Sequence, residues 1–273
     1  MEITLLGTGS PLPSPDRAGP ATLVRAGGAT MLFDCGRAVV MRLAAAGVVP
    51  PMLSAVLLTH LHSDHITDLN DIITTRWVMS PAPLPLRLIG PPGTQRVVDG
   101  ILAMLALDQQ YRLAHHDSLD QGPAIEVEEV EPGASFEVAD AHVSVHHTDH
   151  RPVSPTVGYR IEHEGKVAAI AGDTVPCDEL DAMCQGADLY VQTVIREDLV
   201  RLIPNERIQD ILNYHSSVEQ AAQTATRAGV KTLVLTHYVP PLQAADTDAW
   251  RALAAAHFSG EIVLGDDLTV ASA

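Results

Sequence analysis

The segment His60-Leu61-His62-Ser63-Asp64-His65 constrains this chain more than any other. It places four potential metal ligands within six residues, directly after the apolar run Ala55-Val56-Leu57-Leu58. Imidazole nitrogens and a carboxylate suit zinc and its neighbours, and a short irregular turn after a buried strand can aim alternate side chains at one point. The spacing divides the four, with His60 and His62 facing one ion and Asp64 and His65 a second. Two cations about 3.5–4 Å apart lower the pKa of a water held between them and stabilise charge developing on an attacked group. The segment therefore points to hydrolysis at a two-metal centre.

Around it the chain reads as alternating strands and helices, with one domain expected over residues 1–273. Period-2 patterning and Gly/Pro punctuation give strands at 3–6, 21–25, 30–33 and 55–58, then at 86–89. Antiparallel strands are expected at 124–131, 135–138 and 142–145, and a hairpin at 159–163 and 167–170 around Glu164-Gly165. Helices are expected at 37–46, 68–79, 94–107, 217–228 and 247–256, the first and fourth ending at Gly47 and Gly229. Ser217 and Gln220 fit a capping box. Final strands fall at 232–235, 261–263 and 268–270. The runs Val56-Leu57-Leu58-Thr59-His60 and Leu233-Val234-Leu235-Thr236-His237 echo each other, which suits two halves that each deliver a histidine from a strand end.

Charge narrows the partners. The formal charge is −17, whereas a protein that grips a nucleic-acid backbone needs a positive footprint. Nucleic acid is therefore disfavoured as a partner. No stretch reaches the roughly 18 uninterrupted apolar residues of a membrane span, and Met1-Glu2-Ile3-Thr4-Leu5-Leu6 lacks the regions of a signal peptide. Cys35, Cys177 and Cys184 are odd in number and lack metal-type spacing, which fits free thiols in the cytoplasm.

The histidine motif occurs with Leu5-Leu6-Gly7-Thr8-Gly9-Ser10-Pro11, Leu32-Phe33-Asp34-Cys35-Gly36, Gly172-Asp173-Thr174, Tyr214-His215-Ser216-Ser217 and Leu235-Thr236-His237. In this order the segments resemble the metallo-β-lactamase superfamily, and more narrowly its ribonuclease Z-like branch, which includes arylsulfatase-like and phosphodiesterase-like hydrolases. The resemblance implies an α/β (α+β) fold, a four-layer αβ/βα sandwich of two β-sheets flanked by helices. It also implies two zinc ions, with manganese or iron as substitutes. His60, His62 and a third histidine would hold one ion and Asp64, His65 and His237 the other, with Asp173 bridging and Asp64 also catalytic. For the third histidine, the context Asp149-His150-Arg151-Pro152 favours His150, with His147 as the fallback. His215 resembles a residue that contacts the substrate's anionic group or protonates the leaving group; the plain alternative is a position ahead of the helix cap. Asp34 and Thr59 either orient ligand histidines or, for Asp34, cap a turn. Homodimers are common in the branch.

Three departures oppose tRNA processing. Arg160 and Gly172 are joined by a short hairpin where the bacterial tRNA enzymes carry a long arm. Their His-Glu-Ala-Thr segment reads Gln192-Thr193-Val194-Ile195, without the glutamate. The acidic balance is the third. Di-iron members carry glutamate where His62 stands, which favours hydrolysis and zinc. The leading expectation is a cytoplasmic esterase or phosphodiesterase acting on a small-molecule ester: a carboxylic ester or lactone, a phosphodiester or a sulfate ester. The alternatives are a ribonuclease Z-like RNA 3′-processing endonuclease and a non-catalytic metal-dependent ligand-binding protein. Residues 75–85 and 105–121 are the places to look for a pocket wall; Trp77, Met79 and Leu84 read either as an apolar wall or, more plainly, as core packing.

Overall fold

The computed structural model describes residues 1–117 and 119–273. The first half runs through strands β1 (Glu2–Gly7), β2 (Ala21–Ala26) and β3 (Ala29–Phe33), helix α1 (Val39–Ala45) and strand β4 (Ala55–Leu57). The short helix α2 (Ser63–Ile66), α3 (Leu69–Met79), strand β5 (Leu86–Gly90), helices α4 (Thr94–Met104) and α5 (Ala106–His115) and strand β6 (Ile125–Glu129) follow. The second half holds β7 (Ser135–Val138), β8 (Ala141–His147), β9 (Val157–His163), β10 (Lys166–Ile170), α6 (Asp178–Cys184) and β11 (Leu189–Ile195). Short helices α7 (Glu197–Val200) and α8 (Glu206–Gln209) lead to α9 (Val218–Arg227), β12 (Thr232–Val239), α10 (Thr247–Ala255), β13 (Glu261–Leu264) and β14 (Val270–Ser272).

Among the described residues the strands form two sheets of seven, ordered β14-β1-β2-β3-β4-β5-β6 and β13-β12-β11-β10-β9-β8-β7. From β14 in one sheet and β7 in the other, both begin with three antiparallel pairings and continue with three parallel ones. The layering follows from what each face buries. Alternate residues such as Leu5, Val24, Met31, Phe33 and Leu57 meet Val143, Tyr159, Ile161 and Val191 between the sheets. The opposite face of the first sheet buries Leu23, Leu32 and Leu58 with Val39 and Leu43 of α1 and Ile72 of α3. That of the second buries Tyr190, Leu233 and Leu235 with α6, α9 and Trp250 of α10. The result is the expected sandwich of two sheets flanked by helices.

Most sequence-derived elements occur where expected, and the exceptions have physical causes. The 159–170 hairpin forms with Glu164 and Gly165 both at positive φ (47° and 74°), the turn that matches strand twist. Ser217 caps α9 in a reciprocal capping box with Gln220. The 94–107 helix is interrupted at Leu105, and α5 extends onward with no buried residue. β6 was expected among antiparallel strands but pairs in parallel with β5, because α4 and α5 supply the long crossover a parallel neighbour needs. The chain changes sheets after it, before β7. The Thr-His echo belongs to strands that are not equivalent: from the antiparallel end, β4 is fifth and β12 sixth. The equivalent fourth strands are β3 and β10, each followed by a turn bearing an aspartate, Asp34 and Asp173. Among the described residues no helix is long and apolar enough to cross a membrane.

A buried arginine fastens the first half. The guanidinium of Arg76, on α3, donates to the carbonyls of Pro50, Leu53, Leu84 and Pro85 at 2.7–3.1 Å. Since buried carbonyls without donors are costly, Arg76→Met is expected to lower unfolding free energy by about 3 kcal/mol, measurable as a reduced urea midpoint at unchanged m-value.

Candidate metal centre

The carboxyl ends of parallel strands converge between the two sheets, the usual place for a site in such folds. After β4 the chain passes through Leu58 and Thr59 into the histidine motif; Asp34 follows β3, Asp173 follows β10, and His237 lies in β12. His150 sits in the loop after β8, clamped to the Asp173 turn by Val175 N–H donating to Asp149 O (2.8 Å) and Asp149 N–H to Thr174 Oγ1 (2.9 Å). The Ser216 hydroxyl donates to Thr174 O at 2.7 Å, which draws the His215 segment to the same turn.

Two groups of ligand-type atoms result. His60, His62, His150 and Asp173 form one and Asp64, His65 and His237 another, with the atoms of each group within 4.8 Å of one another. In the first, His62 Nδ1 lies 3.1 Å from His60 Nε2 and 3.2 Å from His150 Nε2. In the second, Asp64 Oδ2 lies 3.2 Å from His237 Nε2 and 3.6 Å from His65 Nε2. A single oxygen, Asp173 Oδ2, lies 3.8 and 3.9 Å from the Nε2 atoms of His60 and His150, and 3.4 and 3.5 Å from those of His65 and His237. Ligand atoms on a tetrahedral zinc with bonds of about 2.1 Å stand about 3.4 Å apart, so these spacings suit metal coordination. His147 falls in neither group. His215 Nε2 is 3.2 Å from Asp173 Oδ2, and it forms a third group with Asp173 and His237.

Hydrogen bonds around the groups fix which nitrogens carry protons. His150 Nδ1–H donates to Tyr214 O at 2.7 Å, and His65 Nδ1–H to Asp34 Oδ2 at 2.8 Å, leaving each Nε2 lone pair facing inward. Asp34 also accepts from Thr59 N–H (2.8 Å) and the Thr59 hydroxyl (2.9 Å). The Thr59 oxygen is then free to accept from His60 Nδ1–H, 3.0 Å away. Asp34 thus orients His65 directly and His60 through Thr59, and of its two sequence readings the geometry supports the orienting role. His65 Nε2, which faces Asp64 and Asp173, and Asp173 Oδ1 are buried with no hydrogen-bond partner among the described residues. An inward lone pair and a buried carboxylate oxygen without partners are what a cation would satisfy, so these residues fit one.

Electrostatics agree. Burial pushes the His150 pKa down to about 4 and His60 well below the usual imidazole value, so both present neutral lone pairs at neutral pH. Burial opposes charge on His65 and His237 too, yet Asp173 with Asp34 or Asp64 raises both above the usual value. That half of the cluster carries excess negative charge and calls for positive charge. The backbone is also held in unusual states: Asp34 (φ 60°) and His237 (φ 55°) adopt left-handed conformations that non-glycine residues rarely take. Gly172 (φ 67°) has no such penalty, and a Cβ there would lie 2.7 Å from Thr59.

A cleft of about 170 Å³ opens onto the cluster. Asp64, Asp173, His215 and His237 line it, with Ser10, Pro11 and Leu12 from the loop after β1 and Arg207, Ile208, Ile211 and Tyr214 from the segment around α8. The expected wall residues Trp77 and Leu84 instead border a separate groove with Leu119 and Gln121, sharing no residue with the cleft, and Met79 is exposed. Residue 118, in the second expected wall stretch, lies outside the described residues. Sequence reasoning gave no role to the 196–213 segment, whose short helices lack a long apolar period.

Comparison with known proteins identifies the class. The Beta-lactamase superfamily domain matches residues 29–238. By fold, the metallo-beta-lactamase fold protein YhfI from Bacillus subtilis is similar, with TM-score 0.77 and 22% identity over 98% of this chain and 97% of that one. Human tRNase Z, short form, superposes with TM-score 0.70 and 24% identity over 100% and 99% of the two chains. The chain belongs to the metallo-β-lactamase superfamily. Within it, this chain is 58% identical to a protein named Ribonuclease Z from Mycolicibacterium gilvum (strain PYR-GCK), over 98% of this chain and 94% of that protein, and the two share a family.

This overturns two expectations from the sequence, that the substrate is a small ester and that nucleic acid is disfavoured as a partner. The matched relative has only about 6% of its length outside the alignment (100 − 94), which leaves no room for a long arm there either, so a missing arm is no argument against this family. The charge argument summed the whole surface, whereas recognition depends on local potential, and the cleft carries Arg207. Thr193, in the segment lacking glutamate, donates to Gly172 O at 3.0 Å and so supports the turn presenting Asp173. Because Asp34 positions histidines of both groups, Asp34→Asn should weaken metal binding by about 10–100-fold. Competition with a chromogenic chelator would measure this, with circular dichroism confirming the fold.

Proposed function

We propose that the protein is a metal-dependent ribonuclease that hydrolyses a phosphodiester bond at the 3′ side of precursor tRNA. The observation that carries the chemistry is Asp173 Oδ2, set between two histidine groups at the floor of an open cleft. The RNA substrate is supported by the name of a near-full-length relative at 58% identity. In this reading one domain spans residues 1–273, because the site draws on both sheets. The free cysteines Cys35, Cys177 and Cys184 fit a cytoplasmic location.

His60, His62, His150 and Asp173 would hold one cation and Asp64, His65, His237 and Asp173 the other, and histidine-rich sets of this kind suit zinc. When bound, such a pair supplies Lewis acidity to the phosphate and acidifies water near neutral pH. The chain's own residues do the rest. Asp34 and Thr59 lock the tautomers of His65 and His60, and the Tyr214 carbonyl locks that of His150. Asp64, on the cleft wall, takes up the proton of the attacking water. His215 Nδ1, 3.2 Å from Ile211 O, donates there, so Nε2 faces Asp173 and the cleft, placed to deliver a proton to the leaving oxygen.

The test is cleavage of a precursor tRNA with a 3′ trailer, with metal content determined on the same preparation. The wild-type protein should carry about two zinc ions per chain and cut the trailer. Asp173→Ala should lose metal and at least about a hundredfold in rate, more than loss of an orienting partner costs. His215→Ala should keep its metal and lose about 10²–10⁴-fold, the usual range for a general acid. A metal-loaded wild-type protein that leaves precursor tRNA intact would overturn the reading.

A further inference from the structure

Two residues of the cleft wall have chemistry that the metal centre does not use. Ser10 is 1% exposed and lines the cleft, and its hydroxyl has no hydrogen-bond partner among the described residues. A buried hydroxyl without a partner is destabilising, and one kept in that state calls for an explanation. The loop holding it is firmly set. Asp267 accepts from Thr8 N–H (2.9 Å), the Thr8 hydroxyl (2.8 Å) and Ala18 N–H (2.7 Å), and Arg17 donates to the Leu242 carbonyl (3.0 Å). Ser10 thus lines the same cleft as Asp64, Asp173 and His237, on a loop held by these bonds, and a group resting in the cleft would supply the acceptor its hydroxyl lacks.

Arg207 is the second residue. It is the one basic residue other than histidine among those lining the cleft, is exposed, and forms no ion pair among the described residues. Glu206 and Asp210 are close to it in sequence, yet Arg207 pairs with neither, whereas Arg201, also exposed, is tied to Glu197. The same cleft has an apolar wall formed by Leu12, Ile208, Ile211 and Val239. A hydroxyl donor, an unpaired guanidinium and an apolar surface lining one cleft match the parts of a nucleotide unit in a polyanionic strand.

We propose that Ser10 donates a hydrogen bond to a non-bridging oxygen of the scissile phosphate, and that Arg207 binds the neighbouring phosphate while the apolar wall takes the intervening nucleoside. This deepens the ribonuclease reading and rests on it. Ser10→Ala is expected to lower kcat/KM about tenfold or more on both precursor tRNA and bis-p-nitrophenyl phosphate, without lowering the melting temperature, since the lost hydroxyl has no partner in the fold. Arg207→Ala should raise KM for precursor tRNA and make log(kcat/KM) less steep against log salt by about one, with Arg207→Lys restoring the slope.

A Ser10→Ala protein that stays fully active, or whose melting temperature falls together with its activity, would overturn the Ser10 assignment. An unchanged salt slope in Arg207→Ala would overturn the other. Failure of the ribonuclease reading looks different: wild-type protein would then hydrolyse the small diester and leave precursor tRNA uncut, with the Ser10 effect still readable on the diester. Wild-type protein inert on both substrates would end both readings.

Discussion

The placement of one carboxylate oxygen organises this molecule. Asp173 Oδ2 must lie within coordination distance of His60 and His150 on one side and His65 and His237 on the other. Those side chains come from both sheets, so the gap between the sheets, their register and the turns after the parallel strands are all tied to that position. The turn itself leaves little freedom: Gly172 needs its positive φ and its missing side chain to pass Thr59, and Gln192 and Thr193 hold its carbonyl. Left-handed backbone at Asp34 and His237 shows the same pressure, since such conformations persist only where surroundings over-determine them.

The candidate site was legible in the sequence because metal chemistry demands particular residue types at close spacing. His60, His62, Asp64 and His65 announce themselves within six residues, and the distant Asp173 and His237 each follow an apolar strand. His150 could be chosen over His147 only by context, and the fold explains the choice: Asp149 bridges to Val175 and turns His150 toward the cluster. Among the fold elements, strands and helices with a clear period were readable. The parallel pairing of β6 was not, because alternation in a strand reveals its faces and says nothing of its neighbours' direction. The helices between 196 and 213 were also missed, being too short to display a period.

The expectations that failed concerned the substrate, and they failed by treating global quantities as local ones. A formal charge of −17 describes the whole chain, while a phosphate meets only the potential of the cleft. Most of the thirty-four acidic residues lie away from the cleft, which Asp64 and Asp173 line and where Arg207 is the one free side-chain cation other than histidine among the described residues. Similarly, the missing arm and glutamate were read as opposing tRNA processing, when the chain aligns with a ribonuclease Z relative over almost the whole length of both.

The double use of Asp34 has a consequence for assembly. Its carboxylate sets His65 by direct contact and His60 through Thr59, so one rigid group prepares ligands in both histidine sets. With Asp173 also common to both, two cations here would not load as independent events. By reciprocity each would alter the other's affinity by the same factor.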